Sequence, residues 1–160
     1  MNEPNLKKNL ELLIAGLLKP LGYKKRGATW NLRRKDFVFV VNLQKTPWGY
    51  DEYYINLGIN FPELDEKREF VSDMHCQIGW RLYQMDELLK KEPHEAGLDR
   101  LKSPNLLLAE VEGLIRRHLL PLINRLDTLE DVKGFVNSKP GYLAIVGSVH
   151  NFLGVNSSLM

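Results

Sequence analysis

Leucine and isoleucine recur at helical spacing near the start of the chain. Leu6, Leu10, Leu13, Ile14, Leu17, Leu18 and Leu21 make one apolar stripe. The spacing predicts a helix from about Asn5 to Lys19, stopped by Pro20 and Gly22. The period then changes to two. Thr29 to Arg33, Phe37 to Thr46 and Tyr53 to Phe61 read as strands, joined by a turn at Arg34-Lys35-Asp36 and a connection from Pro47 to Asp51. Successive strand side chains point to opposite faces, which places Phe37, Phe39, Val41 and Leu43 together with Tyr53, Ile55, Leu57, Ile59 and Phe61 as the buried face. His75 to Tyr83 reads as a fourth strand that buries Cys76, Ile78, Trp80 and Leu82, although Arg81 to Leu89 also suits a helix.

The pattern beyond Asp86 is charged as far as Lys102, with Pro93 and Gly97, and reads as a long surface connection with some helix. Ser103-Pro104 has the form of an N-cap followed by proline at the first helical position. Leu107, Val111, Leu114, Ile115 and Leu122 line one face of the helix that follows, and Pro121 must kink or end it. Asp127 with Glu130 resembles a capping box for a short helix through Phe135. After Pro140-Gly141, Tyr142, Ile145, Val146, Val149, Phe152 and Leu153 suit a last amphipathic helix before Gly154. A sheet between two sets of amphipathic helices implies two layers. The expected fold is a single α+β domain over residues 1–160, with strands over about 23–83 and a helical part over about 103–154. It is an antiparallel β-meander of about four strands, with N-terminal and C-terminal helices packed on one face and the other face open or partly covered.

Composition adds bounds to this picture. The 160 residues suit one core, and 44% hydrophobic with 26% charged residues is ordinary for a globular chain. The 22 Lys and Arg nearly cancel the 20 Asp and Glu, so nucleic acid can be held only by a local patch. Cys76 is the single cysteine, which fits a reducing compartment. No basic leader opens the sequence and no apolar run approaches a bilayer's thickness, so the expected location is cytoplasmic, without a membrane partner.

The phase that buries Phe37 and Ile55 turns Asn42, Gln44, Asn56, Gly58 and Asn60 to the second sheet face. The fourth strand adds His75, Gln77, Gly79 and Arg81 to that face. Carboxamides offer donors and acceptors together, so the row suits recognition of polar groups or peptide backbone. The glycines allow close approach of a ligand or another backbone. The plain alternative is a solvated sheet face. Lys24, Lys25 and Arg26 with Arg33, Arg34 and Lys35 flank Trp30, an arrangement that could hold nucleic acid by phosphate contact and stacking, or could be a charged edge that keeps the chain soluble. Trp48 and Tyr50, in the loop after the second strand, are either binding anchors or a cap folded onto the sheet.

Leu18-Lys19-Pro20-Leu21-Gly22-Tyr23-Lys24-Lys25, Trp30, Val41-Asn42-Leu43-Gln44-Lys45 and Tyr54-Ile55-Asn56-Leu57-Gly58-Ile59 occur in that order. In this combination the chain resembles the bacterial domain of unknown function 4304 family, most densely over residues 15–61 and extending towards Arg81. The resemblance implies an α+β domain and supplies neither an activity nor catalytic residues.

Enzyme signatures are weak. His75, His94, His118 and His150 lie far apart, without metal-ligand spacing, so no metal and no cofactor is expected. His75 and Cys76 are neighbours on a strand and face opposite ways, so they cannot pair as base and nucleophile. Cys76 suits a small buried residue, and His118 a partly buried, hydrogen-bonded one on its helix's apolar stripe. Glu63, Asp65, Glu66 and Glu69 read as the solvated side of a turn and short helix. The expected function is a non-catalytic intracellular binding module for another protein, with a toxin-neutralising (immunity-type) role as one concrete form. The alternatives are nucleic-acid binding through the basic hairpin, and a hydrolase with a concave pocket over Asn42, Gln44, Asn56, His75 and Arg81.

Overall fold

The computed structural model describes residues 5–45, 53–86, 104–138 and 140–154. Helix α1 runs over Leu6–Leu18, and the side chain of Asn5 accepts the Lys8 N–H at its start. Leu10, Ile14 and Leu18, four residues apart, form its buried line. A 3₁₀ turn over Lys19–Leu21 closes at Gly22, whose φ of 73° is open to glycine at little cost.

Six antiparallel strands follow: β1 (Lys24–Arg26), β2 (Thr29–Arg33), β3 (Val38–Lys45), β4 (Tyr53–Asn60), β5 (Ile78–Arg81) and β6 (Ala144–Ile145). They lie side by side in chain order. The α+β meander read from the sequence is therefore the architecture, with an extra strand at each edge. Neither edge strand carries an alternating pattern. β1 is three exposed cations, and β6 is two residues inside an apolar run that resembles a helix. The helix expected from Tyr142 shrinks to α5 over Ser148–Leu153.

The β3–β4 register sets Phe39 opposite Ile59, Val41 opposite Leu57 and Leu43 opposite Ile55. These side chains meet α1 and the C-terminal helices in the main core, on one face of the sheet. Helix α2 begins at Pro104 and runs to Leu114, a π turn spans Ile115–Leu119, and α3 continues over Leu120–Arg125. Pro121 lacks an N–H and its ring crowds the carbonyl four residues back. The wider turn, with the Leu120 N–H reaching back to the Ile115 carbonyl, absorbs this without ending the helix. Helix α4 (Leu129–Asn137) starts one residue later than the sequence suggests. Thr128 Oγ1 accepts the Asp131 N–H at 3.2 Å and the Asp131 carboxylate accepts the Thr128 N–H at 2.9 Å, so Thr128 is the cap and Asp127 is not. Phe135 of α4 and Phe152 of α5 pack on Trp80 and Phe61 respectively, at centroid distances of 5.4 and 5.2 Å.

The second sheet face is partly sealed. Residues 62–77 fold back over it and close a small cluster of Val38, Val40 and Val71 with Cys76. Buried Asn31 fastens this cover. Its Nδ2 donates to the Val71 carbonyl at 2.8 Å and its Oδ1 accepts the Val71 N–H at 2.7 Å. Cys76 thus belongs to this side of the sheet and not to the core of Ile78 and Trp80. β5 starts only at Ile78, after a 3₁₀ turn over Asp73–His75, so the expected alternation holds at Ile78, Trp80 and Leu82 and fails at His75 and Cys76. Gly58 is required by the same contact, because a Cβ there would stand 2.6 Å from Cys76 Sγ. Replacing Asn31 with Ala should lower stability by about 2–3 kcal/mol, since it strands a buried donor and acceptor on Val71. Urea unfolding midpoints measure this, and an unchanged midpoint would show that the cover is not held this way.

Candidate functional site

Strand register sorts the second face into rows. Thr29, Asn42, Asn56 and Arg81 lie opposite one another across four strands, and Gln44 lies opposite Tyr54 in the next row. The carboxamides form a ladder. Asn42 Nδ2 donates to Thr29 Oγ1 at 2.9 Å, and Asn56 Nδ2 donates to Asn42 Oδ1 at 3.0 Å and to Gln44 Oε1 at 2.9 Å. A primary amide has two donor hydrogens and a carbonyl with two lone pairs, so Asn56 spends both hydrogens in the ladder and keeps its carbonyl. The Arg81 guanidinium lies over the Tyr54 ring, 4.1 Å from its centre, in a cation–π contact beside the ladder. The Arg81 N–H is capped by Gln84 Oε1 at 2.7 Å.

Beside the ladder is an open hollow of about 370 Å³ over Gly79. Its lining draws on Asn56 of β4, on Arg81 and Gln84, on Asp73 of the cover, and on Tyr142 and Ala144 of the C-terminal part.

Asn60, His75 and Gln77 do not join this surface. Asn60 is buried and donates to Asp65 at 3.1 Å and to the His75 carbonyl at 2.8 Å. Gln77 Oε1 accepts the Phe61 N–H at 2.8 Å, and His75 Nδ1 accepts the Ser72 N–H at 3.3 Å and lies 2.9 Å from Ser72 Oγ. All three are engaged in securing the cover, so the polar face is narrower than the alternation suggests. Of the five side chains proposed for a hydrolase, Asn42, Gln44, Asn56 and Arg81 share the ladder rows and His75 is turned into the cover; only Asn56 and Arg81 line the hollow. Burial pushes the Cys76 thiol far above its ordinary range, which removes it as a nucleophile near neutral pH. Among the described residues no group of three His, Cys, Asp or Glu side chains is placed to hold a metal ion.

The basic hairpin is also rearranged. Trp30 is buried in the main core, so no base can stack on it. Its sequence neighbours misled because Lys25 covers the ring at 5.5 Å from its centre. Lys25 approaches Glu11 at 3.9 Å, Arg26 pairs with Glu69 at 3.6 Å, Arg33 donates to the Arg68 and Glu69 carbonyls, and Arg34 donates to the Leu126 carbonyl and lies 3.9 Å from Asp127. Lys24 is exposed on β1. Trp48 and Tyr50 lie outside the described residues, as does most of the connection after Asp86. His118 is as expected: partly buried, with Nε2 at 3.1 Å from the Asp86 carboxylate. The residues missed by sequence reading are Asn31, Asp73, Gln84 and Tyr142, which no local pattern connects to the sheet face.

The model of the family described as Domain of unknown function (DUF4304) matches residues 14–125. The chain belongs to this family. Neither a curated protein nor a solved structure matches it. The DUF4304 match contains β1 to β5 and the whole ladder, together with the cover, while Tyr142 and Ala144 of the hollow lie beyond its end. Among the described residues no helix is long and apolar enough to cross a membrane.

The cover has a pH signature. Arg68 bonds the Asp65 carboxylate at 2.9 Å, and with the Glu66 N–H and the Asn60 amide it holds that group at about 2, against 3.8 for an ordinary aspartate. A carboxyl with a depressed folded value adds stability above its unfolded value and loses it as pH falls through the folded one. Wild type should therefore lose thermal stability relative to Asp65→Asn between about pH 4 and pH 2. Melting curves across that range give the comparison, and parallel pH profiles would count against the assignment.

Proposed function

We propose that the chain is a non-catalytic binding module that docks another protein on the part of its polar sheet face that residues 62–77 leave open. The observation that supports this reading most is the contrast between two sets of carboxamides. Asn31, Asn60 and Gln77 are drawn into holding the 62–77 segment, whereas Asn42, Asn56 and Gln44 bond one another and Thr29 along the neighbouring rows of the same sheet face. A ladder that is already oriented loses little side-chain freedom when a partner binds, which favours affinity. The location proposed is intracellular, in keeping with the single cysteine. Toxin neutralisation, a one-to-one inhibitory complex, is the concrete form to test first.

The test is affinity capture of the tagged protein from its native host, followed by titration of the captured partner against variants. Gln44→Ala should weaken the complex by about tenfold, equivalent to about 1.4 kcal/mol. Because Gln44 is exposed, its loss should change folding stability by less than about 0.5 kcal/mol. A partner that binds Gln44→Ala and Asn56→Ala as tightly as wild type would place its interface elsewhere.

A further inference from the structure

Two glycines face the same side of the sheet, directly opposite each other on β4 and β5, and only one of them is explained by the fold. Gly58 has no room for a side chain because Cys76 stands over it. At Gly79 a Cβ would meet only the Leu57 carbonyl, at an ordinary 3.7 Å, and the residue lacks the positive φ that would demand glycine. Glycine inside a strand costs conformational entropy and contributes no side-chain packing, so its presence in open space needs another reason. That space is the hollow: Gly79 lines it, and a bulky side chain there would take up part of its volume.

We infer that the hollow over Gly79 seats one side chain of an extended polypeptide segment belonging to the partner, whose backbone is read by the neighbouring amides. This rests on the binding-module reading and names its ligand class. The hollow's lining is balanced in charge, with one carboxylate, Asp73, and one guanidinium, Arg81. The amides of Asn56 and Gln84 and the phenol-bearing Tyr142 share the lining with them. The Asn56 carbonyl, whose amide hydrogens are both used in the ladder, and the Gln84 Nε2 present an acceptor and a donor that match the alternating groups of a peptide backbone. A polyanion gains nothing from a balanced lining that includes a carboxylate. The openness of the hollow also fits a segment laid across it better than a small molecule, whose sites enclose most of the ligand surface. The edge of β5 is not the docking point. β6 pairs with Ile78 and Gly79, and the Arg81 N–H is taken by Gln84, so the segment lies on the face and does not extend the sheet.

The experiment selects a phage-displayed library of random linear heptapeptides on the full-length wild-type protein, with counter-selection on Gly79→Val. Synthetic, end-blocked versions of the enriched peptides are then titrated into ¹⁵N-labelled protein. The expected result is binding that shifts the side-chain amide signals of Asn56 and Gln84 and weakens at least tenfold in Gly79→Val. Ala144→Leu, a change at an exposed position on the rim, should weaken it in the same direction and guards against a folding defect in the first variant. Enrichment of no peptide, or peptides that bind Gly79→Val and Ala144→Leu as tightly as wild type, overturns the inference. So does an oligothymidine 15-mer that moves the Asn56 and Gln84 amide signals where peptides do not. A natural partner weakened by Gln44→Ala but not by Gly79→Val would sink the hollow and leave the binding module standing.

Discussion

The arrangement of the second sheet face depends on one side chain imitating a strand. Asn31 presents a donor and an acceptor to Val71, at 2.8 and 2.7 Å, and takes the place of a backbone neighbour for a segment that is itself irregular. Buried backbone groups must find partners, and an irregular segment crossing a sheet has few within reach. With Val71 fixed, its side chain seals Val38 and Val40, and Cys76 settles over Gly58. Asn60 and Gln77 then secure the return into β5.

From this constraint follows the division of the face. The cover reaches the rows of Val38 and Val40 and stops short of the row of Asn42, Asn56 and Arg81. The same residue type therefore does opposite things a few ångströms apart. Carboxamides under the cover are structural and worth a stability penalty when removed, whereas those beside it stay at the surface as an oriented polar array. The hollow over Gly79 forms at the boundary, where Asp73 of the cover ends and Tyr142 and Ala144 of the C-terminal part begin.

Much of this was legible in the residues. Period-two alternation places Phe39, Val41, Leu57 and Ile59 on one face and Asn42, Gln44 and Asn56 on the other, and the register bears both out. Helical spacing identifies the buried line of α1. What alternation cannot encode is coverage by a segment distant in sequence, as when residue 71 closes on residue 31. Asn60 and Trp30 were read as surface groups because each sits in a polar or basic neighbourhood, yet both are buried. Asn60 answers to a turn carbonyl fifteen residues on, and Trp30 to a core assembled from both ends of the chain. β1 and β6 escaped because strands of three and two residues carry no period.

The central claim is that residues 62–77 are an integral layer of the fold and not a loop resting on an otherwise open sheet. Native-state hydrogen exchange at Val71 tests it most directly. If Asn31 locks the segment, the Val71 amide exchanges with protection comparable to that of the β3 amides beneath it, such as Val40. Exchange of Val71 at the rate of an exposed loop amide, with β3 still protected, would contradict the account and return the whole polar face to the solvent.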